Sequence, residues 1–303
     1  MFGHVAPGTG FLLIGLWHLF NHIKLYAIHP SSYSAPPWFP LSNPRYRYLE
    51  PYVIMASATS SILAELFVGP HRHQPLDLDG TIPSNHLHNF EHASISLAIL
   101  VYGAFTVLID KFSPKTPRRF NYFIASVAFA QELLLFHLHS TDHTGAEGQY
   151  HFFLQLVITV SLLTSLLAIA FPNSFMVSFV RSLSIFFQGV WLIALGIMLW
   201  TPSLVPKGCF LREEDGHKLV RCSGEESLSR AKSLINLEFS WYLTIITIFG
   251  VSFYLVLVKI YGDQKVDQYS SLPMKEEKEE GSYDIESQKK RMFWETLEYW
   301  MNL

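Results

Sequence analysis

The sequence predicts an all-α membrane protein, a bundle of seven transmembrane helices. Half of its 303 residues are hydrophobic and 15% are aromatic, while only 16% are charged, against roughly 25% in a soluble domain. Seven runs approach the length of about 20 mostly apolar residues that a helix needs to cross the hydrocarbon core. The Lys and Arg residues between those runs are unequally shared between alternate connections, as expected of a chain threaded through a bilayer.

The runs lie at residues 8–28, 51–69, 88–110, 120–139, 149–171, 178–200 and 234–260. The last two are the clearest, because Ile193 to Trp200 and Leu243 to Ile260 are almost free of polar side chains. The second and third are diluted, one by Ser57, Thr59, Ser60, Ser61 and Glu65, the other by the stretch His88 to Ser96. Polar faces of this kind suit helices that pack against other helices rather than lipid. Met1 to Gly10 carries no Lys or Arg, and the apolar run that follows is too long for a cleavable signal, so the first span is expected to act as an uncleaved anchor.

Two domains follow: a seven-span region over 1–260 and a tail over 261–303. The tail is polar from Lys275 to Glu280 and is expected to be largely disordered. At its end, Met292 to Met301 places apolar residues on one face of a short amphipathic helix, which would lie on the membrane interface beside Lys289, Lys290 and Arg291.

Of the 22 Lys and Arg, the connections on the side of the first loop carry Lys24, Arg45, Arg47, Lys111, Lys115, Arg118, Arg119 and Arg181. The tail, together with Lys259, adds seven more to that side. The positive-inside rule then puts the N-terminus in the lumen or outside and the C-terminus in the cytosol. The two cysteines, Cys209 and Cys222, fall in one loop of the lumenal side, where an oxidising compartment would keep them as a disulfide. The net charge of -3 lacks the basic footprint of a nucleic-acid binder, which removes that class of partner. The partner the composition demands is the lipid bilayer, with a lipid or small-molecule substrate as a further expectation.

Ionisable side chains inside apolar spans are costly and mark function by default. His88, Glu91 and His92 open the third run, and Glu132, His137 and His139 close the fourth, with His151 opening the fifth. All three termini lie on the lumenal side in this topology. His88, Glu91 and His92 share a helix face by their three- and four-residue spacing. Glu65 and Glu238 lie about one turn from the lumenal ends of their own spans. His18 and His22 form an i, i+4 pair that reaches deeper.

Such a layer suits a zinc site, with His88, His92, His137, His139, His151, His18 and His22 as candidate ligands and Glu132 or Glu91 as base for a metal-bound water in a membrane hydrolase. Metal or proton transport through a His and Glu chain is the alternative, and a non-catalytic scaffold is a third. Haem is disfavoured because the histidines gather on one side. Single histidines such as His71, His73 and His143 need no more than a neighbouring hydrogen bond.

Four short blocks carry a resemblance: Gly8 to His18 (GTGFLLIGLWH), His88 to His92 (HNFEH), Glu132 to His139 (ELLLFHLH) and Arg230 to Glu238 (RAKSLINLE). In that order they resemble the transmembrane protein 45 family in its plant form, similar to proteins described as viral-response proteins. The resemblance covers about residues 1–260 and implies a seven-span protein of the endomembrane system or plasma membrane, with no agreed activity. Seven spans with His and acid at one side also look like the membrane hydrolases that include alkaline ceramidases and adiponectin receptors. The late-helix His pair of that group is missing, since Leu234 to Ile260 contains no His.

Overall fold

A computed structural model of the chain describes residues 2–69, 74–138, 145–214 and 217–262. The tail after Gly262, and with it the expected terminal helix, lies outside the described residues. Seven long helices account for the architecture: α1 (Phe2–Ile28), α2 (Leu49–Leu63), α3 (Leu87–Phe112), α4 (Arg119–His137), α5 (Ala146–Ala170), α6 (Phe175–Trp200) and α7 (Glu225–Gly262). Six are long and apolar enough to span a membrane. The exception is α4, where Arg119, Asn121, Gln131 and Glu132 dilute a helix of 19 residues; it takes its place in the bundle by packing against α3 and α5.

Local chemistry explains the helix ends. The Ser174 side chain caps α6 by accepting from the amide of Val177, which satisfies a donor that the first helical turn leaves open. Glu225 and Glu226 stand in the first turn of α7, where negative charge meets the positive end of the helix dipole. α1 starts earlier than its sequence suggests, at Phe2, with Pro7 inside it. Pro7 stands sixth in the helix, past the amides that lack an intrahelical acceptor, so it leaves the Gly3 carbonyl without its i+4 amide.

Contacts run α2–α3–α4–α5–α6–α1 and back to α2, a closed ring, with α7 outside it against α1, α5 and α6. The tightest seam joins α1 to α6. A Cβ on Gly15 would strike the backbone of Phe186, one on Gly189 would strike the backbone of Leu12, and one on Gly8 would come within 3.0 Å of the Gly189 carbonyl. Small residues are the usual means of bringing two helix backbones together in a membrane. Beside this seam the core is centred on the fully buried Trp191, whose indole N–H donates to the Tyr150 carbonyl at 3.0 Å and so ties α6 to α5.

Between α6 and α7 an antiparallel hairpin, β1 (Cys209–Glu214) and β2 (His217–Cys222), pairs Cys209 with Cys222 across the ladder. The two cysteines are bonded as a disulfide, and Val220 of β2 joins the main core. Closing a loop of 13 residues is worth about 3 kcal/mol or less by chain entropy. Cys209→Ser is therefore expected to lower the unfolding free energy by that order, with helix content by circular dichroism unchanged; equal stability of the variant and wild type would contradict the estimate.

Candidate functional site

At the end of the bundle where α1 begins, six helices deliver polar or aromatic side chains to one place. The α2 helix continues into a single π-helical turn, Ala64–Val68. Such turns recur at functional sites because the extra residue re-aims a side chain. Here the re-aimed residue is Glu65. One of its oxygens lies 3.4 Å from His92 Nδ1, and the other accepts from Asn89 Nδ2 at 2.9 Å. Two glycines make room for this arrangement: a Cβ on Gly3 would meet Glu65 Oε1 at 3.0 Å, and one on Gly69 would meet Asn89 Nδ2 at 2.6 Å.

His92 is one of a group of imidazoles. The ring of His4, from α1, lies 5.6 Å from that of His92 and 5.7 Å from that of His151 on α5. Trp200 at the end of α6 covers His4 at 5.0 Å. From α4, Phe136 stacks on His151 at 5.7 Å and meets His92 at 6.3 Å. His88 adjoins His92 at 6.3 Å. His4 and His151 are 8% and 1% exposed, and His92 beside them is half-buried.

The Glu65 carboxylate faces Nδ1 of His92, on the side from which a carboxylate orients a metal-ligating histidine, with Nε2 as the other ring nitrogen. Two imidazoles sharing a tetrahedral zinc at about 2.0–2.1 Å have ring centres roughly 5 Å apart; the observed spacings are wider. As they stand, no three His, Cys, Asp or Glu side chains among the described residues converge as metal ligands do.

The sequence gathers more residues into this site than the structure does. Glu132 is buried, but Gln188 donates to its Oε1 at 2.6 Å, and Phe136, one turn further along the same face, is the α4 side chain that reaches the histidine level. Glu238 accepts from the Tyr150 hydroxyl at 2.7 Å. Equal depth along a helix therefore did not mean a common site, because each helix turns its acid toward a different neighbour. His137 is exposed and its Nδ1 faces Gln155 Oε1 at 3.2 Å. Glu91 is partly buried beside His92 in the chain. His139 lies outside the described residues.

His18 and His22 belong to a second polar cluster. They stand 14 and 18 residues beyond His4 on α1, about 21 and 27 Å along the axis. Glu50, 7% exposed at the start of α2, accepts from Trp17 Nε1 at 2.8 Å, from His18 Nε2 at 2.8 Å and from the Phe39 amide at 2.9 Å. Arg181 of α6 donates to His22 Nε2 at 3.2 Å and to the Tyr122 hydroxyl at 3.3 Å. His22 is thereby neutral with its proton on Nδ1, which faces Tyr33 at 2.9 Å. This cluster pins the first loop: Tyr122 donates to the Ala35 carbonyl, Tyr102 to that of Pro37, and the Ala35 amide to the Pro172 carbonyl.

Residues 119–255 match a family of unknown function, DUF716. The DUF716 segment runs from the start of α4 into α7 and therefore contains His151, Phe136, Trp200, Glu132, Arg181 and both cysteines. His4, Glu65, Asn89 and His92 precede it. The site is thus assembled half from the DUF716 segment and half from the three helices before it.

Proposed function

We propose that the protein is a metal-binding multi-pass membrane protein of the transmembrane protein 45 family, with zinc held among His4, His92 and His151 at the lumenal end of the bundle. The observation that carries this reading is the meeting of the buried His4 of α1 with the buried His151 of α5 and the half-buried His92 of α3. A set of imidazoles with a neighbouring carboxylate is a donor set suited to zinc. Glu65 takes the role that the sequence assigns to Glu132 or Glu91, since its carboxylate is the one seen at the histidines. Zinc held there would supply Lewis acidity, the basis of a membrane hydrolase reading; Glu65 orients His92 and stands ready to accept a proton.

The family assignment rests on the DUF716 match together with the four sequence blocks, three of which fall wholly or partly at the polar end. The orientation, N-terminus in the lumen and C-terminus in the cytosol, rests on the distribution of Lys and Arg.

Elemental analysis of the full chain purified in detergent tests the reading. The expected result is close to one zinc per chain in the wild type, its loss in His4→Ala and His92→Ala, and its retention in His137→Ala. A wild-type protein without stoichiometric metal, or a His4→Ala variant that keeps it, would overturn the proposal.

A further inference from the structure

A cleft of about 190 Å³ opens where the first loop meets the connection between α3 and α4. Trp38 and Arg47 of the first loop line it, with Asp110 from the last turn of α3 and Arg118 and Asn121 from the start of α4. This is the level at which α3, one of the helices long and apolar enough to span a membrane, comes to its end. Tyr46, Phe112 and Phe120, in the segments that flank the cleft, are 50%, 80% and 56% exposed. Exposed rings at a span end mark the boundary between hydrocarbon and headgroups, so the cleft opens at headgroup depth.

The polar groups of the cleft select a ligand. Arg47 is neutralised by Asp110, which accepts from its Nε at 3.1 Å and its Nη2 at 3.2 Å. Arg118 is exposed and forms no ion pair among the described residues. The α4 helix starts at the next residue with no acid in its first turn and no side-chain cap, so the positive end of its dipole adds to the Arg118 charge. Ser113 and Thr116, which also line the cleft, supply hydroxyl donors. Together these groups suit a phosphate.

Asn121 asks for something more. It is 5% exposed, and its Oδ1 has no hydrogen-bond partner, a costly state for a buried acceptor unless a ligand donates to it. Arg118 and Asn121 are three residues apart at the start of one helix and share a face, so one ligand can meet both. We propose that the cleft binds the headgroup of an inositol phospholipid, with Arg118 on the phosphate and Asn121 Oδ1 accepting from a ring hydroxyl. The acceptor is a neutral amide and the one carboxylate of the cleft is engaged by Arg47, which favours a hydroxyl over an ammonium and so inositol over ethanolamine. Basic pockets between helix ends on the cytosolic side take such headgroups; the leaflet, unlike the site itself, rests on the orientation proposed above. The zinc site lies at the other end of α3 and is not involved.

Binding of tritiated phosphatidylinositol to the full chain in phosphatidylcholine-containing mixed micelles tests the proposal. Saturable binding near one lipid per chain is expected, displaced by unlabelled phosphatidylinositol, less well by the tail-free glycerophosphoinositol, and not by phosphatidylethanolamine or inorganic phosphate. Arg118→Gln should weaken it about tenfold, the scale of one hydrogen bond to a charged group, and Asn121→Leu should weaken it as well. Arg119→Gln removes an exposed charge that is outside the cleft lining and should bind as the wild type does. Should Asn121→Leu fail to fold, the two exposed arginines decide. No saturable binding by the wild type, equal losses in Arg118→Gln and Arg119→Gln, or displacement by inorganic phosphate or phosphatidylethanolamine as effective as by phosphatidylinositol would overturn the proposal. Binding in micelles does not depend on which way the chain crosses a membrane, so a failure here leaves the orientation standing.

Discussion

Gly189→Ala is expected to destabilise the bundle by about 3 kcal/mol, the upper end of what overpacking usually costs. The added methyl meets the backbone of Leu12 and the carbonyl of Gly8, and neither can rotate away as a side chain would. Relief requires α1 and α6 to separate, and that seam is the closest approach between helices in the ring. The same substitution at Gly10, where a Cβ meets nothing within 4 Å, should be neutral or stabilising by a few tenths of a kcal/mol or more, since glycine in a helix costs roughly 0.5–1 kcal/mol relative to alanine. Unfolding of both variants in a denaturing-detergent titration distinguishes them. Similar midpoints for Gly189→Ala and Gly10→Ala would show that the seam is not under the constraint described.

Glu50→Ala is expected to be at least as damaging, on the order of 3–5 kcal/mol, the range for removing one partner of a buried charged network. Three donors lose their common acceptor, and Arg181 loses the one buried negative charge of its cluster. The first loop should come free, because the Phe39 amide and the ring of His18 are both held by that carboxylate. Limited proteolysis between residues 29 and 48 gives the readout. Rapid cleavage there with helix content retained is the expected outcome, and a wild-type cleavage pattern would remove Glu50 from its central place in the cluster.

The helices were legible because lipid leaves a chain little choice. Apolar runs of sufficient length become helices, and their centres fall where the hydropathy puts them. The ends were less legible. The first apolar run was read from residue 8, which left His4 outside it, whereas α1 begins at Phe2. Yet His22 follows His4 by 18 residues, five full turns of helix, and that spacing was available as a sign that the two histidines share a face. Glu65 was visible as an intramembrane acid, but its aim depends on a π-helical turn that no residue type announces. The opposite error was made with Glu132 and Glu238. They were grouped by depth along their helices, and the neighbours toward which their helices turn were not readable, because helix rotation is settled by packing among all seven helices. Arg181 was counted only as a connection charge and Glu50 went unremarked for a similar reason: each stands near a span end, where a charge is ordinary, and only the folded loop buries them.

That loop owes almost nothing to its own hydrogen bonding. Its backbone between Tyr33 and Phe39 is held by groups borrowed from α2, α3, α4 and the α5–α6 turn, while His22 of α1 holds Tyr33, one partner at a time. It can dock only after those helices have found one another. The segment therefore behaves as an indicator of assembly: a chain with helices inserted but not yet gathered would display a proline-rich, aromatic strand, and a finished one would hide it.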